Sequence, residues 1–210
     1  MKTPTRPETV PFITAWSGEQ PQQRSVVYAG RGGIAFADER PEDRDQYGVL
    51  WNGRAMAPGT GHPLYGDVHP LRQRHAMQHL LCQVCGGPAD RDDRGVLWLL
   101  EDNRGDWAGW PNDLLTTHPP LCLPCAGTAV TQCPHLTGNA VAVRVRDSDV
   151  CAAYGRIWST SAFGRPVRTA IKDVVPYGTM ATRWVLAGQL VRALNHCTIL
   201  DLQHELKRSS

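Results

Sequence analysis

Two short and closely similar motifs constrain this 210-residue chain more than any other feature. LCQVCGG begins at residue 81 and LCLPCAG at residue 121, so that Cys82 is paired with Cys85, and Cys122 with Cys125. A Cys-x-x-Cys pair can place two sulfurs on one ion, and two such pairs complete the tetrahedral ligand set that Zn²⁺ prefers. We therefore predict a structural zinc site at these four cysteines, with zinc as the cofactor.

Cysteine usage argues against two other roles for the pairs. The N-terminal sequence MKTPTRPETVPF lacks the apolar run of a signal peptide, so we expect a cytoplasmic protein, in which thiols stay reduced. The seven cysteines are an odd number, which also fits free thiols. A thioredoxin-like redox centre would explain CLPC but not the other pair. Cys133 or His135 as a substitute ligand stays an open alternative.

Local patterns predict a loop-rich α+β fold of antiparallel strands. Two strands, at 25–28 and 34–37, flank AGRGG, whose glycines allow a tight hairpin turn. Valine and arginine alternate in NAVAVRVRD at 139–147, the period of a half-buried strand. We predict further strands at 150–160 and 166–175. TRWVLAGQLVRALNH, residues 182–196, has its apolar residues at helical spacing, which predicts a C-terminal amphipathic helix.

The chain reads as three consecutive segments. Residues 1–80 are predicted to be β-rich and to end in a helix that Asp67 caps. Residues 81–138 contain the cysteine pairs and form an inserted zinc module, and residues 139–210 hold the C-terminal strands and helix. Since no long linker separates the segments, we expect them to pack together as one compact unit.

The order of elements in the zinc module resembles a treble-clef zinc finger. GVLWLL reads as a strand, EDNRG as a turn, DWAGW as a return strand, and AGTAVTQ as a short helix after the second pair. This order of knuckle, hairpin and helix over residues 82–133 resembles the treble-clef superfamily. NDLLTTHPPLCLPC is similar to the segment before the second cysteine pair in zinc-containing HNH endonucleases, so the resemblance implies a metal site.

Catalysis is not implied by this resemblance, because the chain departs from the HNH pattern. An HNH enzyme needs a histidine base on the hairpin, whereas residues 86–117 contain no histidine. His118 lies in the proline-flanked approach to the second pair and not on the hairpin. We interpret the module as a degenerate, catalytically incomplete HNH-like one that cuts no nucleic acid.

Histidines suggest two further hypotheses. His75 and His79 are four residues apart on the predicted helix, with Cys82 three residues later, so this pattern could present metal ligands on one face. The simpler interpretation places the two histidines on a solvated face that also carries Arg72. A separate hypothesis is an enzyme pocket lined by His62, His69, His75 and His79.

Charge is distributed unevenly along the chain. Residues 81–143 carry 3 basic and 7 acidic side chains, whereas residues 144–210 carry 10 basic and 5 acidic ones. The basic part could bind nucleic acid, with Tyr154 and Trp158 stacking on bases. The cations proposed for this role are Arg144, Arg146, Arg156, Arg165, Arg168 and Lys172.

The expected function is binding and not catalysis. The sequence has no phosphate-binding glycine loop, no nucleophile elbow and no paired catalytic carboxylates. Trp107 and Trp110 in GDWAGWPND either cap the core of the zinc module or anchor a partner, and the acidic surroundings favour a protein partner with a basic surface. Nucleic acid is the alternative partner. A membrane is not expected as one, because no apolar stretch is long enough to span it.

Overall fold

The computed structural model describes residues 8–30 and 32–208, which form three α-helices and eleven strands. The strands are β1 (Thr14–Trp16), β2 (Val26–Tyr28), β3 (Ile34–Phe36), β4 (Leu50–Trp51), β5 (Pro63–Val68), β6 (Arg91–Asp92), β7 (Gly95–Glu101), β8 (Leu114–Thr116), β9 (Ala140–Thr160), β10 (Pro166–Pro176) and β11 (Val185–Leu200). The helices are α1 (Pro70–His79), α2 (Leu123–Gln132) and α3 (Leu202–Arg208), with 3₁₀ turns at Pro41–Asp43 and Met180–Trp184. Helices beside a multistranded sheet confirm the α+β class.

The described residues divide into two compact units that are interleaved along the sequence. Unit 1 comprises residues 8–14, 75–149 and 192–208, and unit 2 comprises residues 15–30, 32–74 and 150–191. The chain passes from one unit to the other within β1, α1, β9 and β11. The three consecutive segments expected from the sequence stay a prediction.

Unit 1 is built on strand β7, which is covered on both faces. β7 pairs antiparallel with β9, from Val96 opposite Val145 to Glu101 opposite Ala140. One face of β7 packs Trp98 into a cluster with valines of β9, while the other face packs Leu97 against the segment that leads into α2. This double burial explains why GVLWLL reads as a continuous apolar run instead of an alternating one.

Unit 2 contains the short hairpin predicted from AGRGG. β2 pairs antiparallel with β3, and Tyr28 lies opposite Ile34. β1 pairs with β5, β4 runs parallel to the start of β11, and β10 pairs antiparallel with the second half of β9. The core comprises Ile34, Phe36 and Leu50, against which Trp158 and other partly buried side chains pack.

A fully buried ion pair also stabilises unit 2. The Glu19 carboxylate is 1% exposed and accepts hydrogen bonds from both Nη atoms of Arg72, at 2.5 and 2.8 Å. The backbone N–H groups of Trp16 and Ala57 donate to the same carboxylate, at 2.9 and 3.2 Å. Burial raises the pKa of Glu19, but these hydrogen bonds and the Arg72 charge outweigh it and lower the pKa from 4.5 to about 2. Arg72 is therefore buried, and its predicted place on a solvated helix face was wrong.

The amphipathic helix predicted at residues 182–196 is wrong, because this segment forms most of strand β11. The side chains placed on one stripe are mostly buried, as expected: Ala187, Leu190, Val191 and Leu194. β11 nevertheless has strand neighbours on both sides, and burial on both faces of a central strand removes the period of two that would have identified it. The helix near the C-terminus is instead α3, at Leu202–Arg208.

Two other boundaries differ from the prediction for local reasons. α1 begins at Pro70, a residue favoured in the first helical turn, whereas Asp67 lies in β5 and binds Arg54 at 2.7 Å. DWAGW is not a strand: β8 follows it and pairs with β11. Pro111 has no backbone N–H to donate to a neighbouring strand, and Gly109 has φ of 93°, which is not a strand conformation. Both residues therefore prevent a strand here.

Candidate metal centre

The first cysteine pair lies in a tight knuckle after α1. Leu81 bridges to Pro88, and the Cys82 N–H donates to the carbonyl of Gly87 at 2.7 Å, which closes the turn. Gly86 has φ of 74°, and a Cβ at this position would lie 2.9 Å from the ring of Phe12. Only glycine fits there without displacing a neighbour. The Val84 N–H points at the Cys82 sulfur, 3.4 Å away, in a position to stabilise a thiolate.

The second pair lies at the start of α2. Cys122 is the N-cap residue with extended backbone, Pro124 occupies the first turn, and Cys125 lies between them and the helix interior. The neighbouring Leu121 donates its N–H to Leu97 of β7 at 2.9 Å, while the Gln83 N–H donates to Pro120 at 2.9 Å. These bonds hold the knuckle, β7 and the N-terminus of α2 together beside the cysteines. The short helix predicted after the second pair is α2.

The structure brings the four predicted cysteine ligands together. Their sulfur atoms all lie within 4.8 Å of one another, and the Cys85 and Cys122 sulfurs are 3.8 Å apart. Zn–S bonds of 2.3 Å in a regular tetrahedron separate the sulfurs by about 3.8 Å, so the cluster has the size of a zinc site. All described cysteines are free thiols, and a disulfide would need sulfurs about 2.05 Å apart. The cluster could therefore hold a metal ion, and zinc fits it.

The electrostatics of the cluster favour a bound cation. Burial, followed by the neighbouring thiols, raises the pKa of Cys125, and burial likewise raises that of Cys122. Burial also opposes ionisation of Cys85, but the Gly87 N–H and the other three cysteines outweigh it and lower its pKa. Four thiolates this close repel one another unless a cation lies between them.

Apolar packing makes the cluster part of the unit 1 core. Cys82 is fully buried and packs with Leu97, Leu99 and Leu121, and partly buried Leu206 of α3 joins the same group. A metal here would connect a β-strand, a knuckle and a helix that all contribute to one core. This position is typical of a structural ion, since water has little access to the buried side of the site.

Arg144 is not available for nucleic acid, contrary to the sequence prediction. Its side chain is 3% exposed and forms ion pairs with Asp90 at 2.5 Å and Glu205 at 3.7 Å, with Asp92 beside them at 3.4 Å. The alternation in NAVAVRVRD was interpreted as a half-buried strand, but the 90–92 segment and α3 cover its polar face. Arg146, two residues later, is exposed.

The other predicted histidine sites do not form a second metal centre. His75 and His79 are exposed, with ring centroids 4.6 Å apart, while the nearby Cys82 belongs to the four-cysteine cluster. Among the residues that the structure describes, neither they nor Cys133 and His135 join a group of three metal-ligating side chains. His118 lies at an exposed position. Its backbone carbonyl accepts a hydrogen bond from Trp98 Nε1 at 3.0 Å, and its N–H donates to the Thr116 hydroxyl at 3.0 Å.

The histidines of unit 2 have local partners of their own. His62 is exposed, and its Nδ1 lies 3.2 Å from the Ser17 hydroxyl. His69 is fully buried, where its Nε2 donates to the Ala55 carbonyl at 3.1 Å. Burial lowers the pKa of His69, which favours its neutral form. The Glu19 carboxylate also lies 3.9 Å from His69 Nε2, but it is paired with Arg72.

Trp107 and Trp110 have different environments although they are three residues apart. Trp110 is 7% exposed and packs with Trp98, Val143 and Leu194, so it belongs to the core as one of the two interpretations expected. Trp107 is 37% exposed, and its Nε1 donates to the Asn112 carbonyl at 3.1 Å. A role as anchor for a protein partner stays a prediction, and only for Trp107.

Unit 2 also contains a cleft that sequence reasoning identified only in part. The cleft has a volume of about 1010 Å³, and it is lined by five of the residues named above for nucleic-acid binding: Tyr154, Arg156, Trp158, Arg168 and Lys172. The opposite wall, which includes Gln22, Gln23 and Asp67, was not predicted. No sequence signal could connect these residues, because they lie more than 80 positions away along the chain.

Comparison with known proteins assigns no family. The chain matches no protein-family model, no curated protein and no solved structure. The likeness to treble-clef and HNH modules therefore stays a resemblance of motif and element order. In the described part of the chain, no helix is both long and apolar enough to cross a membrane.

Proposed function

We propose that this chain is a zinc-stabilised protein that acts by binding and not by catalysis at its metal. The observation that carries the proposal is the four-cysteine cluster, with all its sulfurs within 4.8 Å of one another. Four thiolates fill the tetrahedron of a zinc ion, whereas catalytic zinc sites keep one position for water or substrate. The ion would therefore support the fold of unit 1.

A treble-clef arrangement is part of the proposal. The knuckle at Cys82, the strand β7 and the helix α2 follow one another in the order that the resemblance implies. HNH cleavage is not part of it, because β7 carries no histidine and exposed His118 lies outside the strand. Structural zinc contributes about 10 to 16 kcal/mol in small fingers, comparable with the stability of a whole domain.

Metal analysis of paired variants tests the assignment. Protein purified without added metal should contain one zinc per chain, and Cys85→Ser should lose it together with much of its thermal stability. Cys133→Ser is the matched control, since this cysteine lies outside the cluster. A metal-free wild type contradicts the proposal, as does retention of zinc in Cys85→Ser or its loss in Cys133→Ser.

The non-catalytic part has its own test. Wild-type protein with Mg²⁺, Mn²⁺ or Ni²⁺ should leave supercoiled plasmid intact. Nicking that disappears in His118→Ala would show that the module is a nuclease after all.

A further inference from the structure

The second half of β9 and its partner β10 form a ribbon with an unusual arrangement of cations. Tyr154, Arg156 and Trp158 alternate along β9, so they share one face, and all three line the cleft. On β10, Lys172 lies opposite Arg156 and Arg168 lies opposite Trp158. The cleft therefore has a floor on which cations and aromatic rings are interleaved.

The three cations of this floor lack carboxylate partners. In the described chain, no Asp or Glu forms an ion pair with Arg156, Arg168 or Lys172, and Arg156 instead donates to the Thr169 and Ala170 carbonyls at 3.1 and 3.2 Å. The segment 150–191 carries 5 basic residues and 1 acidic residue. The positive charge is therefore concentrated and not compensated locally.

Other charges around the cleft are neutralised, which makes the contrast informative. Arg24 on the wall is paired with Asp43 at 2.5 Å, and the wall residue Asp67 is paired with Arg54 at 2.7 Å. Like charges placed directly opposite each other on two strands destabilise the pairing. The repulsion between Lys172 and Arg156 therefore destabilises the pairing of β9 with β10, and an anion bound between them would remove this repulsion.

The rings and amides define what kind of anion fits. Tyr154 and Trp158 are half-buried, so each keeps part of its ring open to the cleft. Gln22, Gln23 and Gln189 on the walls can donate and accept hydrogen bonds, as base edges require. The ribbon continues to a turn that carries Arg165 and Phe163, which is 91% exposed, so the charged track is longer than the cleft.

We propose that this cleft binds single-stranded nucleic acid, with phosphates at Arg156, Arg168 and Lys172 and bases against Tyr154 and Trp158. Alternating cations and aromatic rings in a groove are what a single strand needs, because its backbone is charged and its unpaired bases expose stacking faces. A duplex keeps its bases stacked inside and offers the rings nothing to stack on. The inference names the ligand of the proposed binding role and does not depend on the metal.

Fluorescence anisotropy with the full-length, zinc-containing protein tests this inference. The probe is a labelled mixed-sequence oligonucleotide of about 12 nucleotides, within the site sizes of single-strand-binding folds, as DNA and as RNA. We expect binding of at least one of them, weaker binding of the matched duplex, and an affinity that falls steeply between roughly 50 and 200 mM salt. Absence of binding to both strands at the lower salt overturns the proposal.

Variants locate the binding within the chain. Arg168→Glu and Lys172→Glu should each weaken binding about tenfold or more and lower the salt dependence, because each removes a phosphate contact. Arg146→Glu is the charge-matched control, since Arg146 is exposed and lies in unit 1. An equal loss in the control, or no loss in the cleft variants, contradicts the assignment.

The aromatic residues distinguish nucleic acid from any other polyanion. Tyr154→Leu should weaken oligonucleotide binding by roughly tenfold, the loss of one stacked base, and leave the salt dependence unchanged. A polyglutamate peptide that binds as tightly as the oligonucleotide, or Tyr154→Leu without effect, overturns the assignment to nucleic acid. Zinc is measured on every sample, so a zinc-containing protein that binds no oligonucleotide refutes this inference and leaves the metal assignment intact.

Discussion

Strand β9 carries arginines in both units, and their surroundings are opposite. In unit 1, Arg144 is 3% exposed and lies among Asp90, Asp92 and Glu205. In unit 2, Arg156 faces a cleft beside Lys172 and has no carboxylate partner among the described residues. The same residue type on the same strand therefore binds carboxylates in one unit, whereas in the other it donates to backbone carbonyls and keeps its charge without a carboxylate partner in the described chain. Charge on a strand indicates binding only where the fold leaves it uncompensated.

Removal of the metal should have the largest effect, and it should affect unit 1, which contains the cysteine cluster, and not unit 2. Chelation should remove the amide-exchange protection of β7 and α2. Without the ion, the fold of unit 1 would lose a zinc-binding free energy of about 10 kcal/mol or more. Hydrogen exchange read residue by residue measures this loss. Protection of β7 that is the same with and without chelator would mean that unit 1 does not need the ion.

The second largest effect should come from breaking the buried Glu19–Arg72 ion pair of unit 2. Arg72→Met should destabilise the protein by roughly 3 to 5 kcal/mol, because the Glu19 carboxylate would stay buried without its cation. Arg40→Met is a suitable control, since Arg40 is exposed and substitutions at such sites change stability by less than about 0.5 kcal/mol. Denaturant unfolding gives both values. Equal midpoints for the two variants would contradict the structural role of the Arg72 pair.

Acid should weaken the same pair. The pKa of Glu19 is lowered from 4.5 to about 2, so its stabilising effect is complete above pH 5 and disappears as the pH falls through about 2. The free energy of unfolding should therefore fall more steeply from pH 5 to pH 2 in the wild type than in Glu19→Gln. Glu42→Gln, at an exposed position, should retain the wild-type slope.

Arg144 and Arg146 offer a comparison within two residues. Arg144→Met should cost roughly 2 to 3 kcal/mol, below the range of a fully buried pair because Asp90 keeps 33% of its side chain exposed. Arg146→Met should be close to neutral. Thermal unfolding of both variants measures the difference, and a larger loss for Arg146→Met would reverse our interpretation of this half of β9.

The metal cluster was predictable from the sequence because its information is local. Cys82 and Cys85 are three residues apart, as are Cys122 and Cys125, and each spacing alone defines half of a site. The hairpin of β2 and β3 was predictable for the same reason, since the glycines of AGRGG allow the positive φ of a tight turn.

What sequence reasoning missed depends on distant partners. Arg144 forms an ion pair with Glu205, 61 positions later, and no sequence pattern around Arg144 predicts that partner. β11 was predicted as a helix because consecutive side chains, Leu190, Val191 and Arg192, are buried on both of its faces, which removes the alternation. The wall of the cleft around Gln22 likewise comes from the opposite end of the sequence. These features arise from tertiary packing, which overrides local propensity.

The smallest expected effect tests the central claim most directly, namely that the cations of the cleft are kept for a ligand at a cost to the fold. Lys172→Glu places a carboxylate opposite Arg156 and replaces a like-charge pair by an attractive one. In the absence of any ligand, we predict that this variant is more stable than the wild type by about 0.5 kcal/mol, measured by denaturant unfolding at low salt. A variant that is less stable than the wild type would show that Lys172 supports the fold, and would contradict the account.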